Sequence, residues 1–237
     1  GGIIMNLSVY NYIPSQAFAY WISQQMIIGF SKGIKLGLIV DSKQGLSTAD
    51  NNRFLRLWHE SDFDSIFFTA TDSIQAMYTG KKWFPFNKGG DYRKWYGNNE
   101  YIINYQNNGR ELQNFNKSVI RNSNYYFQEC FSWSLICSSI PSFRYKPNGY
   151  IFDAAGSSCF GDNIIYLLGL CNSVVTKQYL KFIAPTLNFS CGDIANIPVI
   201  KAHERIVENI VKDNIDNCRK DWDEFETSWD FKKHPLV

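Results

Sequence analysis

The sequence predicts an α+β fold: a leading helix, a long run of curved, mostly antiparallel sheet, a helix pair and a final helix. Three observations predict it. Aromatic residues make up 16% of the chain, which suits pleated sheets better than a plain helical bundle. From Leu36 to Phe160, short apolar runs are broken by Gly, Asn and Pro turns, the pattern of short strands. After Gly161 the apolar spacing becomes helical. Strands and helices come in blocks, unlike the strict alternation of a parallel α/β sheet.

Taken in order, residues 3–13 read as an extended entry segment, and Pro14-Ser15 opens a helix with Ser15 as its N-cap. Ala17, Tyr20, Trp21, Met26 and Ile27 carry its packing face up to Phe30. In "LGLIVDSKQGLSTADNNRFLRLWHE" a strand breaks at Asp41 and a turn follows Gly45. A second strand then sets Phe54, Arg56 and Trp58 on one parity. Residues 67–78 are a helix candidate. Next, "KWFPFNKGGDYRKWYGNNEYIINYQNNG" gives strands interrupted at Lys88-Gly89-Gly90, Gly97-Asn98 and Asn107-Asn108-Gly109. Sheet continues from Asn122 to Phe160, with a turn at Pro147-Asn148-Gly149. Asp162 is placed to cap a helix carrying Ile164, Ile165, Leu168 and Leu170, and Asn172-Ser173 separates it from a second helix ending near Ile183. "TLNFSCGDIANIPVI" reads as extended. From His203 to Asp223 the period is helical, with Ile206, Ile210 and Ile215 apolar.

Composition narrows the function. At 237 residues and 45% hydrophobic content the chain is globular with a substantial core. A formal charge of +2 sets up no global basic field, so any nucleic-acid role rests on a local patch. The six cysteines form no CxxC pair and the three histidines stand apart. The expectation is therefore free thiols, no metal and a reduced, cytoplasmic setting. No signal peptide is visible, and no apolar run approaches the ~18 residues of a membrane span. The chain opens Gly1-Gly2-Ile3 without Met, as a piece of a longer protein would. Phosphate loops, GxGxxG, HExxH and GxSxG are absent from the sequence, and no catalytic residue is assigned.

Several long words carry a resemblance. They are "GLSTADNNRFLRLWHE", "WFPFNKGGDYRKWYGNNEYIINYQNNG", "FSWSLICSS", "GYIFDAAGSSCFG", "PTLNFSCGDIANIPV" and "DWDEFETSWDFKKHPL". In this order they resemble the C-terminal half of BREX-type adenine-specific DNA methyltransferases and of related single-chain restriction–modification enzymes. The stretch from Leu167 to Val211 is also similar to the end of a target-recognition domain in type I restriction specificity subunits. One position departs: where the family word has Gly, this chain has Ala49, which would be strained if the turn needs positive φ. The Asn-Pro-Pro-Tyr motif and the cofactor loop of such enzymes are missing from this sequence.

The resemblance implies a recognition half without its catalyst. Residues 1–35 would lead from a catalytic methyltransferase domain in cis, 36–200 would recognise double-stranded DNA, and 201–237 would form a closing helix and tail. S-adenosylmethionine would bind in the other half, leaving this chain without a cofactor. Candidate DNA contacts on the glycine-hinged stretch are Asn87, Lys88, Arg93, Lys94, Asn98 and Asn99, with Lys43, Arg53, Arg56 and Arg144 on neighbouring segments. Arginine pairs with guanine edges, asparagine with adenine, and lysine with phosphate. Trp83 and Trp95 would brace the stretch from beneath, with Lys88, Arg93 and Lys94 pointing outward. The bland reading of the same residues is an aromatic sheet core with an ordinary solvated face. A rival function is a protein-interaction module, in which Trp222, Phe225 and Trp229 dock another defence-system subunit or a phage inhibitor.

Overall fold

The computed structural model describes residues 23–234 and residue 236. The entry segment at 3–13, the Ser15 cap and the first part of the leading helix lie outside the described residues. The strands are β1 (Ile34–Lys35), β2 (Asp41–Lys43), β3 (Leu55–Leu57), β4 (Trp83–Asn87), β5 (Tyr101–Asn104), β6 (Cys130–Trp133), β7 (Phe143–Lys146), β8 (Ile151–Phe152), β9 (Ser158–Phe160) and β10 (Pro198–Val199). The helices are α1 (Gln24–Lys32), α2 (Asn51–Phe54), α3 (Ser73–Tyr78), α4 (Gln106–Asn114), α5 (Ile164–Cys171), α6 (Val174–Ile183), α7 (Cys191–Ala195) and α8 (Glu204–Asp223).

Two four-stranded sheets form the body. One has the order β2-β9-β6-β7 and is antiparallel throughout. The other has the order β3-β5-β4-β8, antiparallel except where β4 and β8 run parallel. A two-stranded pair joins β1 to β10. The α+β expectation therefore holds, with mostly antiparallel pairing. No helix among the described residues is long and apolar enough to cross a membrane.

The period of two along each strand sorts side chains into layers. On the first sheet, Phe131, Trp133, Phe143 and Cys159 face a core built with Leu167 and Leu168 of α5, Leu180 of α6 and Val211 of α8. The opposite parity of that sheet, Cys130 and Phe160, faces the second sheet through Phe84, Phe86, Ile103 and Ile151. The result is three layers: helices, first sheet, second sheet. Trp83 and Ile102 lie on the outer side of the second sheet with Ile66, Trp58 and Phe68. The tail after α8 closes over that side. Trp58 Nε1 donates to the Thr227 carbonyl at 3.0 Å, and the Phe68 and Trp229 rings meet at 5.0 Å.

The helices follow local signals where these are strong. Ser23 caps α1 by accepting from the Met26 N–H, and Ser173 caps α6 through Thr176. The expected cap Asp162 is displaced by one residue: α5 opens at Asn163, which sits in the left-handed region. Four other expectations need correction. Leu36–Leu38 is a 3-10 turn rather than a strand, with Leu36 donating to the Ile197 carbonyl, and the strand begins at Asp41. The expected strand through Phe54 and Trp58 keeps three residues, because Asp50 accepts from the Arg53 N–H and wraps residues 51–54 into a helical turn. "TLNFSCGDIANIPVI" is not wholly extended: Ser190 and Asp193 form a reciprocal capping box that starts α7. On α8 the buried stripe is Val211, Ile215 and Trp222, while Ile206 and Ile210 are exposed.

Candidate nucleic-acid interface

The stretch singled out in the sequence, Lys82 to Gly109, takes in β4, β5 and the long connection between them, residues 88–100, where most of the glycine-hinged candidates fall. That connection is not a free loop. Trp95 hydrogen-bonds the edge of β7 through its backbone, donating to Phe143 O at 2.9 Å and accepting from Tyr145 N at 2.8 Å. This bridge holds the middle of the connection against the first sheet. Trp95 itself is half-buried against the helix-side core.

Two buried cations hold it from below. Arg144 and Lys146 share the parity of Ser132 and Cys130, their register partners on β6, and so point away from the helices. Both are fully buried. Lys146 Nζ donates to the Gly97 and Asn98 carbonyls at 3.0 and 3.1 Å and to the Asn99 side chain. Three acceptors match the three protons of an ammonium. Arg144 donates to Arg93 O, to Ser142 and to Ser134 Oγ, while its Nε finds no partner among the described residues. No carboxylate lies within ion-pair distance of either among the described residues. Burial and mutual repulsion hold the Lys146 ammonium well below its ordinary pKa, and burial brings the Arg144 guanidinium down to about 10.

The sequence-derived candidates therefore divide. Asn87, Asn99 and Arg144 are interior, a correction to their assignment as DNA contacts. Asn87 Nδ2 donates to Gly156 O across the layers. Asn98 folds back onto the Asp91 carbonyl at 2.9 Å. Arg93 and Lys94 do not simply point outward. The Arg93 guanidinium pairs with Asp221 at 3.0 Å and lies 5.0 Å from the Trp222 ring centre. Lys94 Nζ donates to the Asn172 carbonyl at 2.8 Å. Lys43 is paired with Asp41 at 2.9 Å beside the Tyr125 ring. Arg53 binds Glu111, which also accepts from Asn104.

Lys88 and Arg56 remain, and the fold brings them together. They line a shallow depression of about 320 Å³ with Asn51, Asn52, Leu55 and Tyr101. Lys88 Nζ sits 4.4 Å from the Tyr101 ring centre. Arg56 is anchored by its own backbone neighbours, the Asn52 and Leu55 carbonyls, and lies over Trp83. Glu60 is also at the rim, its carboxylate occupied by the Leu57 N–H. Asn51 and Asn52 are not among the sequence candidates, since that run reads as part of a turn. Their signal was the Asp-Asn-Asn-Arg run, in which Asp50 caps the turn that presents them.

No family model matches the chain. Two curated proteins do, each over 95% of this chain. The adenine-specific methyltransferase PglX of Lacticaseibacillus casei (strain Zhang) is 36% identical over a region covering 20% of its own length. The adenine-specific methyltransferase BrxX of Escherichia coli O9:H4 (strain HS) is 40% identical over 18% of its length. The chain thus corresponds to one region of much larger relatives. It spans about a fifth of the PglX and BrxX sequences. The buried clamp and the depression both fall within the matched span, since that span is nearly the whole chain.

Proposed function

We propose that this chain is the DNA target-recognition region of an adenine-specific DNA methyltransferase in a phage-defence or restriction–modification system. The observation that carries this reading is the depression in which Lys88, Arg56, Asn51 and Asn52 converge beside a rigidly held connection. A methyltransferase acting on a base has to extrude it from the duplex, and another surface has to grip and read the flanking bases. Lysine supplies a point charge for phosphate, and arginine and asparagine supply paired donors and acceptors for base edges. Each side chain immobilised on binding costs about 0.5–1.5 kcal/mol. Arg144 and Lys146 pre-set the backbone between β4 and β5, which lowers that cost. On this reading S-adenosylmethionine and the chemistry belong to a catalytic domain in cis. The rival docking role keeps Phe225 exposed, but Trp222 is buried and Trp229 packs on Phe68 and Tyr150.

The test is made in the full-length methyltransferase with methylation sites mapped genome-wide. Lys88→Ala is expected to weaken binding to all sequences alike and to lower the salt slope by about one. Arg56→Ala is expected to cost about 1–3 kcal/mol at one base position and to relax site choice there. Unchanged affinity and an unchanged methylation map in both variants would refute the reading.

A further inference from the structure

The middle of the 88–100 connection borders a second feature. Lys94, beside the Trp95 bridge, lines a cavity of about 310 Å³ between the start of α6 and the segment 139–141. A neighbouring cavity of about 280 Å³ continues along α6 toward Thr186. The two share Ser139, Ile140, Lys177 and Leu180, so they form one groove. Three lysines line it: Lys94, Lys177 and Lys181. Lys177 and Lys181 are one helical turn apart on α6, on the same face. No Asp or Glu is among the lining residues of either cavity. In a chain with 24 basic and 22 acidic residues, that separation of charge is a local feature. Lys94 is held by a neutral carbonyl, Asn172 O, which positions the ammonium without cancelling its charge. Burial and the Lys177 charge both press the Lys94 pKa downward, a cost that an anion in the groove would relieve.

We propose that this groove seats a stretch of phosphodiester backbone, with Lys94, Lys177 and Lys181 facing its phosphate oxygens. The proposal rests on the target-recognition reading and adds a positioning surface to it, separate from the Lys88–Arg56 depression. Three lysines without an arginine, beside an Asn172 amide already committed to the Phe143 backbone, suit charge neutralisation, which sets register and carries no base information. The apolar lining from Ile140, Pro141 and Val174 suits the sugar edges between phosphates.

The test uses the full-length methyltransferase and its variant Lys177→Gln/Lys181→Gln. Both residues are exposed on α6, and glutamine keeps helix propensity near that of lysine, so folding is preserved. Duplex affinity is measured across a chloride series for a target and a non-target sequence. The expected result is a salt slope reduced by about two, with both affinities falling by the same factor. A parallel arm follows the melting temperature in sodium phosphate at matched ionic strength. If the duplex slope is unchanged but phosphate raises the melting temperature of the wild type and not of the variant, the groove takes a free phosphoryl anion and the backbone assignment is overturned. If neither measurement separates variant from wild type, the groove proposal fails altogether, while Lys88 and Arg56 variants still report on target recognition. If the wild-type chain shows no salt-dependent duplex binding, the target-recognition reading and the backbone assignment fail together.

Discussion

At the scale of single residues, Ala49 is the clearest case of local strain. Its φ is +54°, the left-handed region, which costs a residue with a Cβ about 1–2 kcal/mol. It is exposed and lies between Thr48, which donates to Asn51 Oδ1 at 2.6 Å, and the capping residue Asp50. These contacts fix the turn whatever the side chain at 49. Glycine would remove the strain and return part of the gain as unfolded-chain entropy, about 0.5–1 kcal/mol. Ala49→Gly is therefore expected to stabilise the fold by about 0.5–1 kcal/mol. A higher urea midpoint at an unchanged denaturant slope would show this, and a lower midpoint would mean that the turn does not hold Ala49 in strain. This position was legible in the sequence as the departure from a glycine-bearing word. The fate of Arg144 was not. Alternation along "SFRYK" tells which residues share a side, but not that the residue 88–100 connection covers that side. A cation expected at a DNA surface thus becomes an internal strut.

Among the elements, the pairing of α5 with α8 rests on a close approach. Gly169 lies in α5, and a Cβ there would come 2.6 Å from Val211 Cγ2 and 3.2 Å from Val207 Cγ1 of α8. The two helices meet backbone to side chain, with no room for overpacking. Gly169→Leu is expected to destabilise by about 1–3 kcal/mol or more and to speed amide exchange in α8 ahead of the sheets. Native-state hydrogen exchange checks this, and unchanged α8 protection would show that the contact is looser. The helices of the helical layer were readable from sequence where period and cap agreed, as in α6 with Ser173; α8 was readable in extent but not in which apolar residues it buries. Short elements were not. α2 and α7 are made by one side-chain cap each, Asp50 and Ser190, and such a cap can override four or five residues of apparent alternation. The same limit applies to the candidate interface. The basic, aromatic, glycine-hinged wording between β4 and β5 was visible, but which cations are neutralised and which are only positioned depended on partners far along the chain, the Asp221 carboxylate for Arg93 and the Asn172 carbonyl for Lys94.

For the molecule as a whole, near-balance of charge leaves pH dependence to a few buried groups. Lys146 is the principal one. Its folded pKa lies below the ordinary 10.5, through burial first and the Arg144 charge second. Below both values the ammonium is charged in each state and the fold bears its desolvation. Between the folded value and 10.5 the unfolded chain holds a proton that the fold has released, so stability rises with pH, by at most about 1.4 kcal/mol per unit for one proton. Other groups act in the opposite direction. Burial raises Cys130 to about 12 and lifts Cys159 and Cys171 as well. Burial also takes Tyr96 and Tyr105 to about 12. Their unfolded forms ionise first, from about pH 9 for the thiols and 10 for the phenols, and stability falls there. The net curve of the wild type mixes these trends, so the informative quantity is a difference. Lys146→Met keeps the unbranched stem up to the ε position and removes the titrating group, at the cost of leaving the Gly97, Asn98 and Asn99 acceptors unpaired. Wild-type stability minus Lys146→Met stability, from urea unfolding at a series of pH values, is expected to grow as pH rises past the lowered folded value and to level off near 10.5. A difference that stays flat with pH would mean that its three acceptors fully offset the burial of the ammonium. The clamp would then hold the β4–β5 connection without any stored electrostatic cost.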